Sequence, residues 1–294
     1  MFPIIPANTS ASFPENDEGI FGYGSQAVTG VCDITNLVSN AGVVATDLTG
    51  VGTSRAYLAA CEFGGDQGIF GFGGSPYFSL TNLVSNAGVV ASDTAGVGTA
   101  RYGIAACSYD EDKGIFGFGY NASGQLSMTN LVSDAGVVAS DTAGVAGATA
   151  RSWMAACEYG GDKGIFGFSG TGVTNLVSNA GVIASDTAAV GSPRGSIAAC
   201  GYGGDKGIFS SGYDAGTHVS NLVSNAGVIQ ADVAVVGTSV KDLCACEYGG
   251  DKGIFGLGSP YTGITKLISN TGVCGDDVAA VASARASPAA CSFN

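Results

Sequence analysis

Four residue types recur at fixed places in this chain of 294 residues, and each of them could do chemistry. Thiolates bind soft metals, guanidinium groups bind carboxylates and phosphates, and carboxylates bind hard cations. One cysteine recurs six times, at Cys61, Cys107, Cys157, Cys200, Cys246 and Cys291. An arginine recurs at Arg55, Arg101, Arg151, Arg194 and Arg285, and an aspartate at Asp47, Asp93, Asp141, Asp186, Asp232 and Asp277. Such sets either form rings of ligands or hold a repeated structure together.

The six recurring cysteines have two interpretations. As a ring of thiols around a channel they could take a soft metal. As small hydrophobes they would pack beside the alanines that precede them, since free cysteine is among the most buried residue types. We favour packing, and the chain has no Cys-x-x-Cys pair. Cys32, Cys244 and Cys274 fall outside the recurring set, and one disulfide among them and Cys246 stays open.

The recurring arginines also have two interpretations. A ring of arginines at one mouth of a channel could clamp an anionic ligand with its guanidinium forks. Alternatively, an Arg–Asp pair or a hydrogen bond from arginine to a carbonyl group locks each repeat. Recurrence in nearly every repeat favours the structural role, because a specific site would differ between repeats. The fifth repeat has Val240 at this position, with Lys241 beside it.

Glutamate is the fourth recurring type, and it follows the cysteine in alternate repeats. It occurs at Glu62, Glu158 and Glu247, whereas the other repeats have Ser108, Gly201 and Ser292. Three carboxylates in a pseudo-threefold array could bind a cation. We favour solvated charges near turns. The acidic run at 110–112 is predicted to be a hairpin turn, because a calcium loop would need a glutamate twelve positions on.

The sequence offers few residues for nucleophilic catalysis. Its one histidine lies in a variable loop, where we expect a surface residue. The loops that differ between repeats are better candidates, because they place Tyr, Phe, Asn and Ser on a rigid scaffold. We expect no enzyme, no cofactor and no metal. The candidate binding residues are Tyr77, Phe78, Tyr120, Asn121, Tyr213, His218 and Tyr261.

All of these residues belong to one repeat. The string Asp-x-Gly-Ile-Phe begins at Asp17, Asp66, Asp112, Asp162, Asp205 and Asp251, with spacings of 49, 46, 50, 43 and 46 residues. Most of the length variation falls between the Ile-Phe-Gly and Thr-Asn segments, which we interpret as loops because loops absorb insertions. The rest of the period predicts one architecture repeated six times.

Each repeat is predicted to hold four short strands. In one copy they are 104–109, 115–119, 126–133 and 137–141, separated by Asp-, Asn- and Gly-containing turns. Alternation puts Ile115 on one face of the sheet and both Phe116 and Phe118 on the other. A sheet with two apolar faces must be stacked between neighbours, and a repeat of this length fits a propeller blade.

The two ends of the repeat array are complementary. The first copy lacks its Arg…Ala-Ala-Cys strand, and the segment after Arg285 supplies one. We therefore predict an all-β fold: a six-bladed β-propeller over residues 17–294, closed by pairing of its N- and C-terminal strands. Residues 1–16 are predicted to be a flexible N-terminal arm.

The repeat resembles the kelch motif, in which an arginine precedes a small-residue strand, a turn and an aliphatic-aromatic strand that ends in glycines. The matching residues are Arg101…Ala105-Ala106…Gly114-Ile115-Phe116-Gly117-Phe118-Gly119. The sequence departs where Thr-Asn-Leu-Val-Ser replaces the kelch Tyr and Trp, and where Gly-x-Gly replaces a glycine pair. In detail, the TNLVSN, GVGTAR and DKxIFGYG-like strings resemble kelch-like repeat proteins of bacteriophages and environmental sequences. The resemblance implies a propeller with a structural role in a phage particle or tail.

Composition narrows the function further. The net charge of −13, with only 11 Lys and Arg, argues against binding of nucleic acid. No apolar run approaches the ~20 residues of a membrane span, and the first residues do not resemble a signal peptide. We expect a non-enzymatic structural or recognition protein of a virion or other extracellular assembly, made in the cytoplasm, which binds partner proteins or its own copies through its loops or arm. The alternatives are a carbohydrate-binding propeller and an enzyme acting in the channel.

Overall fold

The structure, a computed structural model, describes residues 17–74, 76–188, 190–212, 218–279 and 282–294. These residues form β-strands joined by turns and loops, and no helix occurs among them. The described ranges accordingly hold no helix that could cross a membrane. The prediction of an all-β chain is confirmed. The arm predicted at 1–16 lies outside the described residues.

Six antiparallel sheets make up the frame in the described ranges, and their strands follow one pattern. The first strand of a sheet carries Ala-Ala-Cys or a variant, the second Gly-Ile-Phe, and the third Thr-Asn-Leu-Val or a variant. Three of the sheets are as follows: the first sheet has β1 (Glu18–Gln26), β2 (Gly30–Val38) and β22 (Ala289–Phe293), the second β3 (Ala59–Phe63), β4 (Gln67–Gly71) and β5 (Thr81–Val84), and the third β6 (Ala105–Tyr109), β7 (Lys113–Gly117) and β10 (Thr129–Val132).

The other three sheets repeat the pattern, and two of them have a fourth strand. The fourth sheet has β11 (Ala155–Tyr159), β12 (Lys163–Gly167) and β13 (Thr174–Val177), the fifth β14 (Ala198–Tyr202), β15 (Lys206–Ser210), β16 (Val219–Val223) and β17 (Val233–Ala234), and the sixth β18 (Cys244–Tyr248), β19 (Lys252–Gly256), β20 (Ile264–Ile268) and β21 (Cys274–Ala279). A small extra hairpin, β8 (Tyr120–Asn121) and β9 (Gly124–Gln125), lies in the variable loop of the third repeat.

The first and second strands of each sheet are joined by a tight turn. In the fourth sheet Gly160 and Gly161 supply the positive φ, 69° and 76°, that such turns need. In the third sheet Asp110 and Glu111 adopt φ of 53° and 63° instead, and the acidic run joins the two strands of a hairpin. The prediction of a hairpin turn at 110–112 is confirmed.

The fourth strand predicted at 137–141 is wrong as a regular strand. Isolated bridges, such as that between Val132 and Val138, join this segment to the third strand. The segment lies at an exposed outer edge, where Val137 keeps 65% of its surface accessible, so little burial holds it in a regular ladder. The side chain of Asn130 adds a hydrogen bond from Nδ2 to the carbonyl oxygen of Ala139 at 3.0 Å.

The second strand ends two residues earlier than predicted, at Gly117, because Phe118 has a φ of 63°. This turn in the backbone breaks the alternation of side chains. Phe118 packs with Ile115 on the side of the fourth sheet, whereas Phe116 packs on the side of the second. The prediction that both phenylalanines share a face is therefore wrong. The same positive φ occurs in every repeat, at Tyr23, Phe72, Phe118, Phe168, Ser211 and Leu257.

The apolar core is divided among six interfaces between neighbouring sheets. Ile69 of the second sheet packs in one cluster with Phe116 of the third, and corresponding clusters join each later pair. Phe21 of the first sheet packs in the same way with Ile254 of the sixth. Each sheet thus buries both faces against its two neighbours.

The two ends of the described chain meet in the first sheet. Strand β22 pairs antiparallel with β1, with Ile20 opposite Cys291. The backbone N–H of Asp17 also donates to the carbonyl oxygen of Asn294 at 3.2 Å. The predicted pairing of the N- and C-terminal strands is confirmed.

Two cycles of backbone hydrogen bonds pass through all six repeats. In the first, which we call the mouth ring, each N–H donates to a carbonyl oxygen of the neighbouring repeat at 2.7–3.0 Å. The members of the mouth ring are Tyr57, Gly103, Trp153, Ser196, Asp242 and Ser287. In the second cycle, at the opposite end of the first strands, Gly64, Asp110, Gly160, Gly203, Gly249 and Asn294 donate to Asp112, Asp162, Asp205, Asp251, Asp17 and Asp66 at 2.7–3.0 Å. Each cycle returns to the repeat in which it starts.

Candidate functional site

The six recurring cysteines pack between sheets. The Sγ of Cys61 lies against Gly114 of the third sheet, at only 2.5 Å from where a Cβ on that glycine would stand. All six are 3–5% exposed. Because the recurring glycine of Asp-x-Gly-Ile-Phe has no side chain, it leaves room for the cysteine of a neighbouring sheet. The other five pairs are Cys107 with Gly164, Cys157 with Gly207, Cys200 with Gly253, Cys246 with Gly19, and Cys291 with Gly68.

All nine cysteines are free thiols, including Cys32, Cys244 and Cys274, for which a disulfide had stayed open. Burial raises the pKa of Cys244 to about 12, and raises the pKa of the six recurring thiols as well. Across the described ranges no group of three or more His, Cys, Asp and Glu could hold a metal ion.

The recurring arginines are buried, and Arg55 illustrates their contacts. Its Nε donates to the carbonyl oxygen of Phe72 at 2.7 Å, and its Nη2 donates to Oδ1 of Asn82 at 2.7 Å. Its guanidinium carbon lies 4.3 Å from the ring centre of Tyr23 in the preceding repeat. Because these contacts reach two repeats, the side chain joins neighbouring sheets.

The recurring aspartate completes this network. Nδ2 of Asn82 donates to Asp93 at 2.9 Å, and the backbone N–H and hydroxyl of Thr53 donate to the same carboxylate at 3.0 and 2.6 Å. Burial opposes ionisation, but the hydrogen bonds from Thr53 and Asn82 together hold the pKa of Asp93 below its usual value. Nη1 of Arg55 then donates to the carbonyl oxygen of Thr53 at 3.1 Å, which closes a circuit of four residues. We call this circuit the arginine lock.

The arginine lock is complete at Arg55 and Arg101. At the other three arginines part of it is missing, because Nε and Nη1 of Arg151, Nη2 of Arg194 and Nη2 of Arg285 are buried without a hydrogen-bond partner among the described residues. The five arginines are 0–2% exposed, so they do not form a ring of accessible anion ligands. Arg101, Arg151 and Arg194 lie over Phe72, Phe118 and Phe168, 4.3, 5.1 and 4.4 Å from the ring centres. In addition, Nη1 of Arg101 lies 3.7 Å from Asp141. The five remaining aspartates, Asp47, Asp141, Asp186, Asp232 and Asp277, each accept hydrogen bonds from a Ser or Thr backbone N–H and hydroxyl.

The sixth sheet replaces the arginine lock with a different pair. Val240 occupies the arginine position and is 4% exposed, and Lys266 occupies the asparagine position and is 5% exposed. The ammonium group of Lys266 contacts Asp277 and donates to the carbonyl oxygen of Val236 at 2.9 Å. Lys241, which follows Val240 in the sequence, is half-buried. Burial opposes ionisation, but Lys266 and Thr238 lower the pKa of Asp277 to about 2.

His218, which we expected at the surface, is half-buried. Its Nε2 lies 3.5 Å from the hydroxyl of Ser211, which stands where four other repeats have Phe or Tyr. Burial, together with the charge of Lys266, lowers the pKa of His218. Ser211 is only 1% exposed and is therefore not presented to a substrate as a nucleophile would be.

The three recurring glutamates line a central cavity of about 50 Å³, formed by the first strands of all six sheets. Burial, followed by the charge of Glu62, raises the pKa of Glu158 to about 8. Glu158 is half-buried, and the interpretation of the three glutamates as solvated charges near turns stays a prediction. At one of the alternating positions the glutamate lies close to its small neighbour, since a Cβ on Gly201 would stand 1.6 Å from Oε1 of Glu247.

Five aromatic rings converge at the other end of the first strands, and we call them the aromatic patch. Tyr102 is the hub: it stacks on Tyr77 at 5.4 Å with an angle of 19°, and its ring centre lies 5.2–5.8 Å from those of Tyr57, Tyr120 and Trp153. Tyr57 and Trp153 also meet edge to face at 4.9 Å. Tyr57 is 36% and Tyr77 39% exposed. The patch thus combines two predicted loop residues with three that sequence analysis did not single out.

The mouth ring surrounds a second cavity, of about 60 Å³. Tyr57 and Trp153 line one side of it, and Ser196, Asp242 and Ser287 contribute polar groups to the lining. The hydroxyl of Ser287 is buried and has no hydrogen-bond partner. A buried hydroxyl without a partner costs free energy, which a bound polar group would recover.

The remaining predicted loop residues lie apart from the aromatic patch or take local roles. Tyr261 is 43% exposed and makes no ring contact within the described ranges. The backbone N–H of Phe78 donates to Gly73, and the side chain of Asn121 accepts from the backbone N–H of Ser123 at 2.8 Å. Tyr213 lies outside the described residues.

No protein-family profile matches this chain, and no curated protein matches it either.

Two sets of residues were missed by sequence reasoning. The first is the buried asparagine of the arginine lock. The sequence indicates its pairing with the arginine in one repeat, where Val240 replaces the arginine and Lys266 replaces the asparagine. The second is Tyr57, Tyr102 and Trp153 in the linkers after the arginines. Their signal was that the linkers of three consecutive repeats carry large aromatics, whereas the others carry small or polar residues.

Proposed function

We propose that residues 17–294 form a six-bladed, kelch-like β-propeller that serves as a non-enzymatic recognition or structural component of a larger assembly, such as a viral particle. It binds partner proteins of that assembly through its loop face. The propeller is supported by the six similar sheets, by the core divided among six interfaces, and by the two cycles of backbone hydrogen bonds. The kelch resemblance supports it through the arginine that precedes each small-residue strand.

A non-enzymatic role is supported by how the reactive groups are used. The recurring thiols fill glycine gaps between sheets, and the arginines and aspartates hydrogen-bond to neighbouring backbone. Groups held in this way lend stability and are not positioned to attack or clamp a substrate. Such a frame is suited to presenting loops rigidly.

The aromatic patch is the observation that carries the recognition role. Tyrosine and tryptophan side chains supply large contact area at low conformational cost, and they are enriched where proteins bind partners. Two of the five rings sit in the mouth ring, so the backbone beneath them is fixed by hydrogen bonds to both neighbours. Binding therefore needs little ordering of the protein.

Electron microscopy and sedimentation of material from the native source test this proposal. We expect the chain to co-sediment with a large particle, and class averages of the purified chain to show a disc with six lobes. Substitution of the hub by Tyr102→Ala should reduce incorporation into the particle, whereas the matched control Tyr261→Ala should not. Recovery of the chain only as a free monomer would contradict the assembly role, and an elongated particle would contradict the propeller.

A further inference from the structure

The mouth ring presents two chemically different sides to one small cavity. Tyr57 and Trp153 contribute aromatic rings, and Asp242 contributes a carboxylate. Ser196 and Ser287 add hydroxyl groups, and the buried hydroxyl of Ser287 has no partner in the protein. A ligand that suits this mouth needs an apolar face for the rings and several hydroxyl groups for the polar side.

Sugars have this combination of surfaces. The axial C–H groups of a hexopyranose form an apolar face that packs on an aromatic ring, whereas its hydroxyl groups both donate and accept hydrogen bonds. Pockets that bind small molecules typically combine aromatic walls with a few placed polar groups. A carboxylate can accept two hydroxyl protons at once, and Asp242 is the carboxylate residue among those that line the cavity.

We propose that the mouth ring binds a terminal hexopyranose of a neutral glycan, stacked on Trp153 with Tyr57 beside it, and hydrogen-bonded to Asp242 and Ser287. This inference goes beyond the proposed function, which assigns partner proteins to the loop face, and adds a glycan ligand at the mouth ring. The glycan satisfies the hydroxyl of Ser287, which the folded chain leaves without a partner.

Charge favours a neutral sugar over an acidic one. Among the described residues that line the cavity none is Lys or Arg, and Asp242 would repel a carboxylated or sulfated sugar. The net charge of −13 acts in the same direction at longer range. A cationic peptide is the competing ligand, because Asp242 would attract a Lys or Arg side chain.

The size of the cavity fixes how the sugar is placed. The cavity is small, at about 60 Å³, so the proposed sugar ring lies over the mouth and one hydroxyl or hydroxymethyl group enters. The aromatic patch around Tyr102 then extends the contact surface to the next sugar of the chain.

A glycan array followed by fluorescence titration tests the proposal. Trp153 is the one tryptophan in the sequence, so a change in its emission reports directly on the mouth ring. We expect binding to a subset of neutral glycans, and at least a tenfold loss of affinity in Trp153→Ala and Asp242→Asn. Tyr261→Ala is the matched control and should keep full affinity, and Trp153→Phe should keep part of it.

Ser287→Ala separates binding from folding. Because its hydroxyl has no partner in the protein, removal should leave the unfolding midpoint unchanged or raise it, yet weaken the glycan several-fold. The proposal is overturned if no neutral glycan binds, if binding survives Trp153→Ala and Asp242→Asn, or if only lysine-rich peptides bind. Co-sedimentation with a particle does not depend on glycan binding. A negative glycan result therefore overturns this inference alone, and the particle experiment tests the proposed function separately.

Discussion

Val240 and Lys266 are a paired substitution. Val240 stands where the other sheets have the recurring arginine, and Lys266 stands where they have the asparagine of the arginine lock. Lys266 contacts Asp277, the aspartate that an asparagine contacts in the other sheets. Each sheet therefore keeps one buried cation beside its recurring aspartate. The exchange falls where Ser211 has replaced the aromatic ring on which an arginine would lie.

Restoring the arginine lock at this interface should stabilise the protein. The triple variant Ser211→Phe, Val240→Arg, Lys266→Asn recreates the ring, the guanidinium and the amide of the other repeats. We expect a gain of about 1–2 kcal/mol in the free energy of unfolding, from cation–π contact and charged hydrogen bonds. Urea unfolding followed by Trp153 fluorescence measures it. Val240→Arg alone should destabilise, because it places two buried cations together, and a stabilising single variant would refute the paired exchange.

Gly114→Ala should destabilise because its new Cβ would stand 2.5 Å from Sγ of Cys61. We expect a loss of about 2–3 kcal/mol in the free energy of unfolding, typical of overpacking in a core. The double variant Gly114→Ala, Cys61→Ala should lose less than the sum of the single variants, since it removes the sulfur that clashes. Gly195→Ala is a suitable control, because its nearest contact would be an ordinary 3.4 Å. Additive single effects would contradict the contact.

Thiol labelling should be slow in the native protein. Burial raises the pKa of the recurring cysteines, and a thiol that stays protonated and inaccessible does not react. We expect Ellman's reagent to modify the half-buried Cys274 first, and to reach all nine cysteines only in denaturant. Rapid modification of several thiols at pH 8 would show that the sheets open readily.

Glu158 should make stability fall as the pH rises. Its pKa is about 8 in the folded chain and near its ordinary value of 4.5 when unfolded, so between these values the folded state binds the extra proton. Stability that is present below pH 4.5 is therefore lost progressively up to about pH 8. The total loss is on the order of a few kcal/mol, at about 1.4 kcal/mol for each pKa unit.

The variant Glu158→Gln tests this dependence. It should unfold at a higher temperature than the parent at pH 9 and at a similar temperature at pH 4.5. A parallel shift at both pH values would mean that the carboxyl group does not titrate in this range.

Periodicity made most of the fold predictable. Repeated Gly-Ile-Phe and Ala-Ala-Cys strings place two strands of every sheet, and the leftover strand after Arg285 predicts the pairing with the N-terminal segment. The face of Phe118 was not predictable from alternation, because a positive φ at a non-glycine residue reverses it. The fourth segment failed as a strand because exposure at the outer edge removes the burial that would hold it.

The site was predictable only in part. Tyr77 and Tyr120 were chosen because they vary between repeats, and the structure places both against Tyr102. Sequence analysis did not single out Trp153 and Asp242. They occupy the same position in their repeats, and a position that every repeat has is readily interpreted as structural even when its side chains differ. Only the mouth ring, a long-range backbone cycle, shows that these two residues surround one cavity.

The fit of each cysteine into a glycine of the next sheet is one contact that all six interfaces share. Every sheet offers the same projection on one side and the same recess on the other, so this contact does not depend on which loop a unit carries. The loops and linkers take no part in that fit. A chain built this way can exchange what it displays by duplication and recombination of whole units, while its frame stays constant.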